Sequence, residues 1–236
     1  MIVFAAIAPH GDVDETPELL AAMQELGRRC TADIAVVVTP HNVHVQGHFA
    51  VVTAARVGAH SVDRALAQAV IDAARADGLP VLGVSYGGND PAEAELPLDW
   101  GTEVPLRFVQ AERVVVVAPA RDRPLEEHVR LGAAIARASG DEAVALIASA
   151  DHGHAHDPDG PYGFHPAAAE YDRRFLELLD AERLDFAPLA ELVGDAKADS
   201  LWQLLVLQGA VTGGAELLAY AAPTYYGMAV AVAGGS

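Results

Sequence analysis

The sequence predicts a single α/β domain over residues 1–236, built on a largely parallel sheet that helices flank. Short apolar runs rich in valine and alanine recur along the chain, each bounded by turn residues, which is the pattern of buried parallel strands. Stretches between them place apolar residues three and four positions apart, which is typical of amphipathic helices. Because no repeat, low-complexity tract or linker interrupts this alternation, we expect one domain.

The predicted strands, in chain order, are MIVFAAIA, DIAVVVTP, LPVLGVSY, RVVVVAPA and EAVALIAS. The helices predicted between them are TPELLAAMQELGRRC, SVDRALAQAVIDAARADG and PLEEHVRLGAAIARASG. The first has a good start, with Thr16 as the cap and Pro17 at the first helical position. The other two end at glycine, as helices often do. Two further helices are expected near 166–181 and 199–219.

Composition excludes several classes of partner. The chain carries 33 acidic against 15 basic residues, for a net charge of −18, so nucleic acid and anionic membranes are poor partners. Its apolar runs are too short to span a bilayer. The first residues read as a buried strand without a basic leader, so we expect no signal peptide. The single cysteine, Cys30, excludes an internal disulfide, and we expect a cytoplasmic protein.

Histidines gather where predicted strands end. The stretch ASADHGHAHDPDGPYGFH, residues 148–165, holds four of the ten histidines, and it follows the fifth predicted strand. His10 follows the first strand and His41 the second. Because the carboxyl ends of parallel strands meet at one edge of a sheet, the sequence predicts a convergent site there.

Such histidines have three interpretations. They are hydrogen-bonded core or loop residues, or they bind a metal, or they serve a nucleophile. A nucleophilic site lacks the GxSxG elbow, and no phosphate-binding glycine motif occurs. Two histidines and a carboxylate suit a non-haem Fe(II) site, whereas the same ligands with one water suit a hydrolytic zinc site. Without an HExxH or CxxC motif, spacing alone does not choose the metal.

Five segments carry a resemblance to a known family: IAPHGD, VVTPHNVHVQGHFAVV, LDWGTEVPLRFV, ASADHGHAHDPDGPYGF and AKADSLWQLLVLQGAV. Together, in this order from residue 4 to about 211, they resemble the class III extradiol ring-cleavage dioxygenases of the LigB type. The resemblance implies an enzyme of aromatic compound catabolism with one Fe(II), which inserts both atoms of O2 beside the hydroxyls of a catechol-like ring. It also implies a homo-oligomer, with a small partner subunit as a further option.

By position, His10 and His41 match the two iron histidines of the family. The third ligand, usually glutamate in ring-cleaving members, falls just before the late helix DSLWQLLVLQGA, where Asp199 is the best match. Asp195 and Glu191 are the nearby alternatives.

The histidine-rich stretch matches the segment that carries the acid–base histidine of the family, S-x-D-x-x-H. His154 takes that role, and His152 is the residue that could exchange with it. An imidazole can accept a proton from a catechol and return it later. Tyr162 and His165 are expected at the mouth of the substrate pocket.

One departure from the family pattern argues against a standard catechol substrate. Many ring-cleaving members have histidine where this chain has Trp100, and indole can only donate a hydrogen bond. Trp100 either packs a loop or binds substrate. The related Memo-like proteins keep the fold and site without an established ring-cleaving activity. A metal-binding interaction protein and a zinc-dependent hydrolase therefore stay open as alternatives.

The apolar tail AELLAYAAPTYYGMAVAVAGG supports two interpretations. It would expose Tyr225, Tyr226 and Met228 if left unpaired, which favours an oligomer contact. Its segment YYGMAVAVA also has strand character, so the tail could instead form an edge strand over the site.

Overall fold

Strands and helices alternate along most of the chain, and the five predicted strands are all present. The computed structural model describes residues 1–234. Its strands are β1 (Ile2–Ala8), β2 (Ile34–Val38), β3 (Phe49–Val52), β4 (Arg56–Val57), β5 (His60–Val62), β6 (Val81–Val84), β7 (Glu95–Leu96), β8 (Arg113–Ala118), β9 (Val144–Ser149), β10 (Ala215–Ala221) and β11 (Met228–Ala233). Its helices are α1 (Pro17–Arg29), α2 (Arg64–Ala76), α3 (Trp100–Leu106), α4 (Leu125–Ala138), α5 (Ala167–Leu179), α6 (Val193–Ala196) and α7 (Leu201–Ala210).

The centre of the sheet is parallel. Strands β1, β9, β2 and β8 lie side by side in that order, and each neighbouring pair runs parallel. β11 pairs antiparallel with β1, and β10 pairs antiparallel with β11 at that side of the sheet. On the other side, β5 continues the sheet from β8, while β3 pairs antiparallel with the end of β8 and parallel with β6. The predicted α/β class with a largely parallel sheet is confirmed.

Helices cover both faces of the sheet. Because successive residues of a strand point to opposite faces, each central strand contributes to two cores. Ile7 and Val36 pack with α2, α4, α5 and α7 in one core, while Ala6 and Val37 pack with α1 in the other. The central strands are therefore apolar on both faces, which explains their unbroken runs of valine, isoleucine and alanine. Within residues 1–234, no helix is both long and apolar enough to cross a bilayer.

The C-terminal region corrects two expectations. The helix predicted near 199–219 ends at Ala210, and residues 215–221 form β10 instead. Gly213, with a φ of 99°, turns the chain there, in a conformation that glycine adopts readily. The strand predicted within YYGMAVAVA is present as β11, but it lies between β1 and β10, and β10 of the same tail takes the outer position in the described sheet. Tyr226 and Met228 are buried within the single chain and Tyr225 is half-buried, so these three side chains do not form the exposed patch that was expected. The oligomer itself stays a prediction.

Candidate metal centre

Three neighbouring parallel strands deliver the site. In the registers of β1, β9 and β2, Ala8 lies opposite Ser149, and Val38 lies opposite Ala148. The three strands thus end at the same level, and the chain segments that follow them meet. His10, His41 and the loop that begins at Asp151 leave from these ends, which is the convergence that the sequence predicts.

Two imidazoles and one carboxylate face each other at this edge. His10 Nε2 lies 3.0 Å from His41 Nε2 and 3.4 Å from Asp199 Oδ2, and His41 Nε2 lies 3.6 Å from the same oxygen. Ligands held about 2.1 Å from one metal lie about 3.0 Å apart at right angles and about 3.4 Å apart in a tetrahedron. Two of the three donor distances match these values and the third is slightly longer, so these residues form a candidate metal site.

His10 is buried between carboxylates. Its Nε2 lies 3.3 Å from Asp151 Oδ2, and its backbone N–H donates to Asp151 Oδ1 at 3.1 Å. Burial alone would lower the pKa of His10, but the negative charges of Asp151 and Asp199 outweigh it and raise the pKa to about 9. Burial works to raise the pKa of Asp199, and the hydrogen bond from His10 outweighs it, so this pKa is lowered. The carboxylate is therefore ionised, as a metal ligand must be.

His41 is held by a network centred on Asp99. The Asp99 carboxylate accepts hydrogen bonds from Thr39 Oγ1 and Asn42 Nδ2, both at 2.7 Å, and from the backbone of Thr102 at 3.0 Å. The His41 backbone N–H donates to Thr39 Oγ1 at 3.2 Å. Asp99 is the N-cap of α3, so one side chain joins that helix to the loop carrying His41.

The imidazole of His41 is in the form that binds metal. Burial, followed by the charge of His10, lowers its pKa to about 4, which leaves it neutral near pH 7. The Trp100 indole lies against it with ring centroids 4.3 Å apart. Trp100 is 57% exposed and lines the site, so this side chain covers His41 and faces the cleft.

The donors open into a cleft of about 720 Å³. Its lining combines the donor triad with carboxylates, cations, aromatic rings and a further histidine. Besides the triad, the polar and aromatic residues that line it are Asp12, Asp14, Trp100, Arg107, Arg121, Asp151, His154, Tyr162, Lys197, Tyr225 and Tyr226. The predicted His154, Trp100 and Tyr162 therefore share the cleft with the predicted metal ligands.

His154 presents one free nitrogen. Its Nδ1–H donates to the backbone carbonyl of His152 at 2.7 Å, which leaves the lone pair of the neutral imidazole on Nε2. The Tyr226 ring stacks on His154 at 5.5 Å between centroids, and the Tyr226 hydroxyl accepts a hydrogen bond from the backbone of Asp12. Gly11 makes room for this tyrosine, because a Cβ at residue 11 would lie 2.2 Å from its ring.

The buried carboxylate of Asp172 fixes the loop on either side of His154. It accepts hydrogen bonds from the backbone of Gly153 at 2.7 Å, from His156 Nε2 at 2.8 Å and from the Tyr220 hydroxyl at 2.7 Å. His156 thus bonds to Asp172 of α5, which also accepts from Tyr220 of β10. His156 holds the loop in place, and His154 faces the cleft.

Two of the predicted residues, His152 and His165, are not among the residues that line the cleft within residues 1–234. His152 is fully buried, stacks on Phe175 at 3.8 Å between centroids, and shares a hydrogen bond of 3.2 Å with Ser200 Oγ. Burial lowers its pKa to about 4. His165 is exposed at the start of α5, where its Nδ1 accepts from the backbone of Ala167.

The alternative third ligands are not part of the donor cluster. Asp195 and Glu191 are both exposed, and the Glu191 carboxylate lies 4.0 Å from Arg174. Asp199 is 8% exposed, and it alone of the three faces both histidines within the part of the chain that the structure describes.

Several cleft residues were not identified from the sequence. Arg107 is paired with Asp14 at 2.6 Å, but Arg121 and Lys197 have no carboxylate partner among residues 1–234. The Arg121 guanidinium lies over the Trp202 ring instead, 4.7 Å from its centroid. These two cations follow a strand and a short helix that carry no motif, so only the fold brings them together.

Comparisons with known proteins give a similar fold and a family. A search of curated proteins found no match. The crystal structure of uncharacterized protein JW3007 from Escherichia coli K12 superposes with a TM-score of 0.67 and covers 98% of this chain and 100% of its own, at 17% sequence identity; at that identity the likeness concerns the fold alone. The family described as the catalytic LigB subunit of aromatic ring-opening dioxygenase matches residues 20–233. The chain therefore belongs to the LigB family of aromatic ring-opening dioxygenase subunits.

Proposed function

We propose that this protein is an Fe(II)-dependent extradiol dioxygenase that cleaves a catechol-like ring beside its two hydroxyls. The observation that carries the proposal is the shared cleft: the donors His10, His41 and Asp199 open into the same space as the free nitrogen of His154. A binding site alone would need the donors, whereas ring cleavage also needs a group that moves protons.

The donor set fits ferrous iron. Two imidazoles and one carboxylate on one side of a metal are the ligands of many non-haem Fe(II) oxygenases. Bound there, Fe(II) would lower the pKa of a diol hydroxyl and offer adjacent open positions to the diol and to O2.

His154 supplies the proton chemistry. Its Nε2 has the lone pair and no hydrogen-bond partner among the described residues, so it accepts a proton from the diol hydroxyl as the substrate docks. The carbonyl of His152 and the Tyr226 ring hold the imidazole in place. The protonated imidazole then returns the proton during ring opening, acting as a general acid.

The walls of the cleft suit an aromatic substrate with an anionic substituent. Trp100, Tyr162 and Tyr225 offer ring faces, and aromatic rings pair by offset stacking or edge-to-face contact. Arg121 and Lys197, which lack carboxylate partners within residues 1–234, attract a negative group. Catechols that carry a carboxylate are therefore the first substrates to test.

The test is an anaerobic reconstitution. Metal-free protein receives Fe(II), then a panel of catechols with and without a carboxylate, and then O2, while the visible absorbance of yellow ring-opened products is followed. We expect product with at least one carboxylated catechol, and none with His41→Ala protein. Fe(II)-loaded protein that opens none of these rings would count against the proposal.

A metal-binding protein without turnover is the second candidate, and Trp100 is the observation that favours it. By the resemblance, Trp100 stands where many ring-cleaving members have histidine, and it cannot accept a hydrogen bond from a substrate hydroxyl. Stoichiometric metal with no O2 uptake would support this candidate. Ester or amide hydrolysis by zinc-loaded protein without O2 would instead support a zinc-dependent hydrolase.

We also propose that residues 1–236 act as one catalytic domain, as a homo-oligomer in the cytoplasm. Family membership supports the assembly. Light scattering of the purified protein tests it, and a strict monomer would remove the oligomer while leaving the catalytic proposal in place.

A further inference from the structure

We propose that Ser149 is a positioning residue that selects the metal-binding tautomer of His10. Ser149 is the last residue of β9 and is fully buried. Its hydroxyl lies between the His10 ring and the backbone of α3. The inference rests on the proposed metal centre, and it assigns a role to a side chain that does not itself face the metal.

The groups around the Ser149 hydroxyl determine which nitrogen of His10 carries a proton. The Ser149 hydroxyl donates to the backbone carbonyl of Gly101, and a carbonyl can only accept. The single hydroxyl proton is thereby used. His10 Nδ1 lies 3.0 Å from the same oxygen, so Nδ1 must carry a proton and donate it. When His10 gives up one proton to bind a metal, Nδ1 keeps its own proton, and the lone pair lies on Nε2, the atom that faces His41 and Asp199.

The other tautomer would be a strong competitor without this contact. Asp151 Oδ2 and Asp199 Oδ2 lie 3.3 Å and 3.4 Å from His10 Nε2, and both would accept a proton held there. A neutral ring protonated on Nε2 could not bind a metal through that atom. Ser149 opposes this outcome, because a buried Nδ1 without a proton would face an oxygen with no proton to donate.

The sequence explains why the Gly101 carbonyl is available. In a regular helix this carbonyl would accept from the N–H of residue 105, but residue 105 is proline and has no N–H. Residue 101 also has no room for a side chain, since a Cβ there would lie 2.3 Å from Thr39 Oγ1. The Gly101 carbonyl thus lacks its regular helical donor, and the Ser149 hydroxyl donates to it instead.

The test compares two variants of the same shape. Ser149→Thr keeps the hydroxyl, whereas Ser149→Val has the same volume without it, so any packing disturbance is common to both. Zinc affinity is measured by chelator competition at one pH. Loss of the hydrogen-bond partner of a metal-binding histidine typically costs about 10- to 100-fold in metal affinity. We therefore expect Ser149→Val to bind Zn²⁺ more weakly than Ser149→Thr by that factor. Ser139→Ala is the matched control, since its buried hydroxyl donates to the carbonyl of Ile135 away from the cleft.

A spectroscopic readout separates tautomer selection from a loss of packing. In zinc-loaded protein, the ring nitrogen shifts of His10 in ¹⁵N–¹H NMR should show a protonated Nδ1 in wild type and Ser149→Thr, and its signal should change in Ser149→Val. Equal zinc affinities of the two variants, or an unprotonated Nδ1 in wild type, would overturn the proposal. Both measurements are made without turnover, so a protein that behaves as expected here yet opens no ring would refute the dioxygenase proposal alone.

Discussion

Replacing His154 by phenylalanine separates catalysis from metal binding. Phenylalanine preserves a ring against Tyr226, whose centroid lies 5.5 Å away, but removes the free Nε2 and the hydrogen bond from Nδ1 to the carbonyl of His152. Loss of that one hydrogen bond should cost about 1 kcal/mol of folding stability, so the variant should fold. Loss of the proton acceptor should slow turnover by about 10²–10⁴, which corresponds to about 3–5 kcal/mol in the activation barrier.

The assay follows ring opening in single-turnover experiments with Fe(II)-loaded protein, and metal analysis runs in parallel. We expect His154→Phe to retain its iron and to bind substrate. His152→Phe is the control, because that ring is buried away from the cleft lining and should affect stability far more than rate. Loss of iron from His154→Phe would make His154 a ligand. Unchanged turnover would refute its acid–base role.

The remaining predictions concern metal, pH and substrate. His41→Ala should lose nearly all iron, while His44→Ala, which removes an exposed histidine of the same loop, should retain it. Equal iron in both variants would remove His41 from the ligand set. The pKa of His152 is lowered to about 4 by burial, so as pH falls below 6.5 the unfolded chain binds the proton first and folding stability declines. Between pH 7 and 5 this residue alone should cost about 2 kcal/mol, which urea unfolding of wild type against His152→Phe measures; parallel pH profiles of the two would contradict it. Trp100→Ala should keep iron and raise the KM for a catechol by several-fold through lost ring contact, and an unchanged KM would restrict Trp100 to covering His41.

The centre of the fold and of the site could be predicted because both depend on local pattern. Buried parallel strands read as unbroken apolar runs, and residues that follow such strands must meet at one edge. That rule is enough to bring His10, His41 and the His154 loop together. The position of Asp199 came from the resemblance, and the structure places its carboxylate within 3.4 Å of His10 Nε2.

The rest depends on long-range packing that no local pattern records. The segment AELLAYA, residues 215–221, fits a helix or a strand by its local pattern, and pairing with β11 decides for the strand. Tyr226 belongs to the cleft only because the tail returns beside β1, where Gly11 leaves space for its ring. Burial separates His152 from His154 although they lie two residues apart.

The most direct test of ring cleavage is the fate of isotopically labelled oxygen. Fe(II)-loaded protein and a carboxylated catechol are mixed with ¹⁸O₂, and the ring-opened product is analysed by mass spectrometry before solvent exchange. Extradiol cleavage predicts one O2 consumed per ring and both ¹⁸O atoms in the same product molecule. Product that takes its oxygen from water, or a fully iron-loaded protein that consumes no O2 with any diol tested, would contradict it.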